Sequence, residues 1–321
     1  MVFFRKKKTP EQEPAIKTCL IELTHNQIKH AVVSVRGDRY VIEKLKVSPQ
    51  IENEPLGNQV KRIMGENPRR YHHYYLASSS AESIYKRYFI THITESRLKD
   101  YLKSKLAEEV GRSKDQLLMD YRLIETDQPG HESGFAAILV GAPADTVTPF
   151  LKELKRVNLP MFQPFFATLS VKRIPKMFDF PERHLIMVVD VGAKTTEFSM
   201  YLKENLVALK TIPFGTDEIP AILKEAAVKE TDKIVFEDLI KAISETVNEF
   251  RVTQGAGTER VFVTGNGPEL MGLDELLRNA LNIPVKQLDY KKDIEILSTV
   301  DQTLFDQCFH MLSGGIDFLA R

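Results

Sequence analysis

"LIMVVDVGAKTTEFSMYLKENL" spans residues 185–206 and begins with an unbroken apolar run, Leu185 to Val189, that stops at Asp190. Gly192 follows, then Lys194 and two hydroxyl residues, Thr195 and Thr196, before apolar alternation resumes at Phe198. A short apolar burst closed by a turn signal reads as a buried strand, and the alternation after it reads as a second strand. The turn between them has two readings. One is an ordinary tight hairpin. The other is a loop facing phosphates: a strand-terminal carboxylate holds water or Mg²⁺ beside a phosphate, a glycine lets backbone approach an anion closely, and threonine hydroxyls donate to phosphate oxygens. The motif alone does not separate the two.

A second stretch adds weight to the phosphate reading. In "VFVTGNGPELMGLDELLRNALNIPV" (261–285) an apolar strand ends at Gly265-Asn266-Gly267, and Pro268 and an amphipathic helix follow. A glycine-rich turn between strand and helix accommodates a flat ligand against the backbone.

The element order repeats. "CLIEL" and "IKHAVVSV" flank a turn at His25-Asn26-Gln27, Gly37-Asp38 marks the next turn, and a helix near 55–65 precedes the strand "YHHYYLAS". Later, "HLIMVVDVG", "TTEFSMYL" and "LVALKTIPFG" read as three strands, with helices near 216–229 and 234–252 and then the strand "RVFVTGNG". Two halves with one element order imply a duplicated α/β unit. Between them lies another order. "ESRLKDYLKSKLAEEV" places Leu98, Leu102, Leu106 and Val110 on one helical face. "LLMDYRLIET" and "GFAAILVGAP" read as strands around a polar loop, "QPGHESG" (128–134), and "ADTVTPFLKELKRVN" reads as a further helix. The aromatic "MFQPFF" (161–166) reads as core where the insert rejoins the chain, or else as a partner surface.

These features together resemble the actin-like ATPase superfamily, and within it the PilM family of type IV pilus assembly. Asp190 to Thr196 is similar to the second phosphate loop, and Gly265 to Gly267 to the adenosine loop. "FFRKKK", the 91–157 insert and "LKTIPFGTDEI" are similar to PilM segments in the same order, so the resemblance covers the chain from about residue 16. It implies two ribonuclease-H-like domains with a small α/β insert subdomain. The first domain takes 16–90 and 158–184, the insert 91–157, and the second domain 185–321 with a shortened helical part at 216–255. A disordered basic tail occupies 1–15. The resemblance also implies an ATP site at Glu22, Thr24, Asp190, Gly192, Lys194, Thr195, Thr196, Gly265, Asn266 and Gly267, with Mg²⁺ held through Asp190. No residue is assigned a catalytic role.

Two departures bear on that site. The first phosphate loop falls at Glu22-Leu23-Thr24-His25-Asn26: Glu22 reaches one methylene further than aspartate, and Thr24 stands where glycine belongs. A β-branched residue obstructs close approach and disfavours φ > 0, and His25 is bulky. The stretch from Gly215 to Val261 is also short, with "EAAVKE" (225–230) offering only the Glu and Lys of any solvated helix. ATP and Mg²⁺ are therefore expected to bind weakly or not at all. The expected role is a scaffold of the pilus, or of a related type II secretion system. It would bind the cytoplasmic N-terminal peptide of a PilN-like inner-membrane protein and reach the membrane only through that partner, with other platform proteins as further contacts. The competing readings are an active ATPase, which needs two working phosphate loops and a base, and a filament protein like the cell-division relative FtsA, whose amphipathic membrane helix has no counterpart in "SGGIDFLAR".

Composition is compatible with this role. The 321 residues are 43% hydrophobic and 27% charged, a globular profile. Lys plus Arg and Asp plus Glu are 44 each, which removes the basic excess of a nucleic-acid binder. Cys19 and Cys308 show no C-x-x-C spacing and are expected as reduced, buried thiols of a cytosolic protein. "MVFFRKKKTPEQEP" lacks the apolar core of a signal peptide, and no apolar run approaches the ~20 residues that span a bilayer. His72 and His73, adjacent on a strand, point to opposite faces and make a poor metal pair.

Overall fold

The computed structural model describes residues 16–24, 26–36, 39–65, 67–78, 83–90, 93–126, 134–170, 185–202, 205–254, 257–287, 294–301 and 304–319. The basic tail at 1–15, His25 and residues 128–133 of the polar loop lie outside them.

The chain opens with an antiparallel meander, β1 (Lys17–Leu23), β2 (Gln27–Arg36) and β3 (Arg39–Pro49). Helix α1 (Leu56–Met64) returns it to β4 (His73–Ser78), parallel to β1. The later meander is β9 (Leu185–Val191), β10 (Thr196–Leu202) and β11 (Asn205–Ile212); β12 (Thr258–Gly265) then lies parallel to β9, and β13 (Val285–Gln287) parallel to β12. In the first sheet β8 (Gln163–Phe166) adds parallel to β4. Five strands therefore run β3-β2-β1-β4-β8 in one sheet and β11-β10-β9-β12-β13 in the other, with the same order and directions. The duplication expected from the element order is present, although no direct sequence repeat marks it.

Three boundaries differ from those drawn on the sequence. The insert sheet is β5 (Ile84–Ile90), β7 (Gly134–Pro143) and β6 (Leu117–Thr126), in the order β5-β7-β6. Its first strand was assigned to the first domain, because "IYKRYFI" carries charges that mask its strand period. Helix α2 (Glu95–Val110) covers this sheet with Leu98, Leu102 and Leu106 buried and Val110 half-buried. Helix α3 (Thr148–Arg156), assigned to the insert, instead packs on α1 over the first sheet, where Leu154 joins Cys19, Ile21, Val60 and Phe162. The insert is thus strand–helix–strand–strand, not helix–strand–strand–helix. Finally, the C-terminal part of the second domain crosses back. β14 (Ile294–Ile296) extends the first sheet beside β3.

The remaining helices are α4 (Ala221–Glu225), α5 (Glu237–Gln254), α6 (Leu273–Leu281), α7 (Leu304–Gln307) and α8 (Phe309–Leu319). The helix expected over 216–229 reduces to one 3₁₀ turn and the five residues of α4. Helix α8 packs on β1, β2 and β4. Its Met311, Leu312 and Ile316 enter a core shared by Leu20 and Ala31 of the first sheet, Ile186 and Val188 of the second, and Ile138 of the insert. Strand alternation explains this sharing. On β9 the residues 186 and 188 face this common core, whereas 185, 187, 189 and 191 face α5 and α6. Phe162, Phe165 and Phe166 of "MFQPFF" are core, and Met161 is exposed. Both cysteines are free and buried. Among the described residues no helix is long and apolar enough to cross a membrane.

Candidate functional site

Alternation also places the two strand-terminal carboxylates. Glu22 continues the face of Leu20 on β1, and Asp190 continues the face of Val188 on β9, so both point between the two sheets. The two hairpins correspond residue by residue. Thr24 N–H donates to Gln27 O at 3.0 Å in the first, and Gly192 N–H donates to Thr195 O at 2.9 Å in the second. Glu22 pairs across the ladder with Lys29, and Asp190 with Glu197.

A cavity of about 130 Å³ lies between the hairpin tips, lined by Glu22, Thr24, Lys29, Asp190, Glu197 and His310 among others. Its charges face one another. Lys29 Nζ is 3.1 Å from Glu22 Oε2 and donates to Gln307 O at 2.5 Å. His310 Nδ1, from α8, lies 3.2 Å from Asp190 Oδ2 and 3.7 Å from Glu197 Oε2. Burial pushes the Lys29 ammonium down, but Glu22, with Cys308 and Asp190, more than reverses this and holds it above its ordinary range. Burial pushes the Glu197 carboxyl up to about 7; His310 opposes this and Asp190 and Glu22 add to it. Asp306 on α7 is raised to about 6 by burial and by Asp190.

The solved PilM–PilN type IV pilus biogenesis complex superposes on 96% of this chain and 99% of the matched chain, with a TM-score of 0.75 at 16% identity. A Bacteroides thetaiotaomicron protein of unknown function, described as having an actin-like ATPase fold, covers 96% of this chain and 99% of its own, with a TM-score of 0.52 at 10% identity. The chain has the actin-like ATPase fold. The cytoplasmic domain of EpsL, an inner-membrane component of the Vibrio cholerae type II secretion system, aligns over 95% of both chains with a TM-score of 0.48 at 9% identity. No protein-family model and no curated protein sequence matches the chain.

In this actin-like frame the residues matched to the two phosphate loops do converge, but several are committed elsewhere. Thr196 is fully buried and its hydroxyl donates to Phe214 O at 2.8 Å, so it is not offered to a ligand. Lys194 is exposed at the hairpin tip, and with Gly192 and Thr195 it lines the cavity. The objection to Thr24 on grounds of φ does not hold. Neither Thr24 nor Gly192 has positive φ, and Thr24 Oγ1 accepts from Gln27 N–H at 3.2 Å, closing its own turn. Its hydroxyl is occupied locally.

Gly265 does need to be glycine. Its φ is +70°, and a Cβ there would lie 2.4 Å from Asp190 Oδ1 and 2.6 Å from Val191 O. Asn266 N–H donates to Val191 O at 2.8 Å, and Gly267 is buried against Val263 and Val191. Asn266 lines a second cavity of about 170 Å³ with Thr216, Lys224 and Glu269. Apart from Val228, the "EAAVKE" residues are exposed.

Sequence reasoning missed Lys29, Glu197, Asp306 and His310. Glu197 was findable, since an antiparallel two-residue turn places it opposite Asp190. His310 sits on an apolar helix far along the chain, with no local signal. Among the described residues no group of three or more His, Cys, Asp and Glu has the arrangement to hold a metal. Ligand pockets usually measure ~300–1,000 Å³. Both cavities are smaller than that, and the first is lined by three carboxylates, two lysines and a histidine.

Proposed function

We propose that the chain is a cytoplasmic platform protein of a type IV pilus, or of the related type II secretion machinery, and that it binds the cytoplasmic N-terminal peptide of a PilN-like inner-membrane protein. The observation that carries this reading is the PilM–PilN match, which extends over nearly the whole of both chains. Such a likeness includes the insert as well as the actin-like halves. In this role the protein reaches the inner membrane through its partner, and other platform proteins are further contacts.

The reading includes a nucleotide site that has lost its purpose. Its support is the cavity itself: Lys29 and His310 already face the carboxylates Glu22, Asp190 and Glu197, where an active site would offer backbone donors to phosphate. In this reading the protein acts by binding.

Co-expression with the membrane protein encoded beside it tests the partner reading. The two should co-purify in detergent, and deleting the partner's cytoplasmic N-terminal segment should abolish the complex. A complex that survives that deletion, or no complex with any such neighbour, defeats it.

A further inference from the structure

The formal charge is zero over the whole chain, but it is not evenly spread. The first half, residues 1–83 and 144–184, holds 21 Lys and Arg against 13 Asp and Glu. The second half, residues 185–321, holds 14 against 22, and the insert between them is balanced. Many cations of the first half gather at one end of its sheet. β1 begins there, where Lys17 pairs with Ser34; β4 begins beside it at His73, and the β2–β3 turn places Arg36 opposite Arg39. Glu22 and the cleft lie at the far end of β1. Helices α1 and α3 carry the chain to the starts of the parallel strands β4 and β8, so both end here too. Their last turns carry Lys61 and Arg62, and Lys155 and Arg156. Arg69 Nη2 donates to Asn158 Oδ1 at 2.5 Å and links the segments that follow the two helices.

The carboxylates nearby match only some of these charges. Glu43 is shared by Lys17, at 2.5 Å, and Arg36, at 3.3 Å. Glu54 takes Arg62 at 2.7 Å, and Glu295 of the edge strand β14 stands opposite Val41. Arg39, Lys61, Arg70, Lys155 and Arg156 are exposed, and among the described residues they form no ion pair. Cations are favoured at helix C-termini, which accounts for the last turns of α1 and α3. It does not account for Arg39 or Arg70. It does not account either for the sequence that leads into β1 at this end. Residues 1–15 lie outside the described residues, but they carry Phe3 and Phe4, then Arg5, Lys6, Lys7 and Lys8, with no acid before Glu11. Aromatic rings settle at a bilayer interface, and clustered cations are drawn to anionic headgroups.

We propose that this end of the first half rests directly on an anionic phospholipid surface. Arg39, Lys61, Arg70, Lys155 and Arg156 meet the headgroups, and Phe3 and Phe4 enter the interface. A cationic face and a short apolar anchor are two signals, and stable membrane attachment takes two. Adjacent phenylalanines, which have no polar tip, favour acyl chains over a nucleic-acid backbone. The contact goes beyond the partner reading and does not depend on it: the partner brings the chain to the membrane, and the basic end fixes how the chain lies there. The acidic second half is repelled by the same surface, so the cleft end faces away from the lipid.

The purified full chain is sedimented with vesicles of phosphatidylcholine alone and with vesicles of equimolar phosphatidylcholine and phosphatidylglycerol. It should bind the second and not the first. Binding should fall away at about 1 M salt, where the Debye length is ~3 Å. Lys61→Gln with Arg70→Gln should weaken binding roughly 25-fold, at about fivefold for each cation removed, with circular dichroism and melting temperature unchanged. Lys241→Gln with Lys286→Gln, the same charge change in the second half, should leave binding intact. Phe3→Ala with Phe4→Ala should weaken it as well. Equal binding to both vesicles, or no binding at low salt, overturns the proposal. Loss of binding on removing residues 1–15, together with indifference to the Lys61 and Arg70 changes, also overturns it, because the tail then acts alone. Tighter binding to a DNA or RNA duplex than to the anionic vesicle assigns this end to nucleic acid and overturns it. None of these outcomes touches the partner reading, which co-purification tests separately.

Discussion

Lys29 holds in the first hairpin the register position that Glu197 holds in the second: Lys29 stands opposite Glu22, and Glu197 opposite Asp190. One strand-terminal carboxylate therefore faces a cation and the other faces a second carboxylate. His310 of α8 approaches the acidic pair, and the carbonyl of Gln307 takes the Lys29 ammonium. The C-terminal helices are tied to both hairpins by these contacts.

Lys29→Met should destabilise the protein by about 3–5 kcal/mol, because it leaves Glu22 buried without its cation. Adding Glu22→Gln should recover a good part of the loss. Urea denaturation of the two variants checks both statements. A single variant within about 1 kcal/mol of the parent would mean that the pair is effectively solvated.

Glu197 carries a pH dependence with a definite sign. Its folded-state pKa is raised from 4.5 to about 7 by burial, so the folded state holds a proton that the unfolded state releases. Its contribution is fully present below about pH 4.5, declines as pH rises through 7, and is flat above. Glu197→Gln should match the parent near pH 4.5 and exceed its stability by about 3 kcal/mol at pH 8. Denaturation midpoints measured across that range check this. Parallel curves would show that Glu197 does not titrate there.

Calorimetry with Mg-ATP should return a dissociation constant of about millimolar or no heat. The Lys29–Glu22 and His310–Asp190 contacts would have to break before a polyphosphate could enter the cleft. A low-micromolar constant abolished by Asp190→Ala would mean that the ionic contacts of the cleft open for nucleotide.

Leu102→Asp should unfold the insert locally. Leu102 is fully buried between α2 and the three-stranded sheet, and an unpaired carboxylate there is strongly disfavoured. Hydrogen exchange should speed up in α2, β5, β6 and β7 while β9 and β12 stay protected. An unchanged melting temperature and exchange pattern would contradict the packing.

Gly215→Ala should cost about 1–3 kcal/mol. A Cβ there would lie 2.2 Å from Ala193 O, a backbone atom with little room to move. The same contact region holds Thr216 N–H on Gly192 O at 2.9 Å and Asp217 N–H on Ala193 O at 2.8 Å. Thermal denaturation with exchange at residues 192–195 checks whether the second hairpin tip loosens as expected.

Local pattern determined much of this protein. The apolar run that ends at Asp190, the four-residue spacing of Leu98, Leu102 and Leu106, and the glycine at 265 are each legible over a few residues. Backbone geometry alone turns them into a strand end, a buried helix face and a tight approach. The doubled element order determined the two halves for the same reason.

The membership of β5, α3 and β14, and the charges that fill the cleft, were decided only by tertiary structure. Edge strands as short as Ile294–Ile296 have no period to read, and a helix such as α3 shows an apolar stripe without naming its partner. Lys29 meets the carbonyl of Gln307 across 278 residues of sequence. Nothing local encodes such a meeting, because burying Lys29 is tolerable only once β1, β2 and α7 close around it and supply a carboxylate and a carbonyl together.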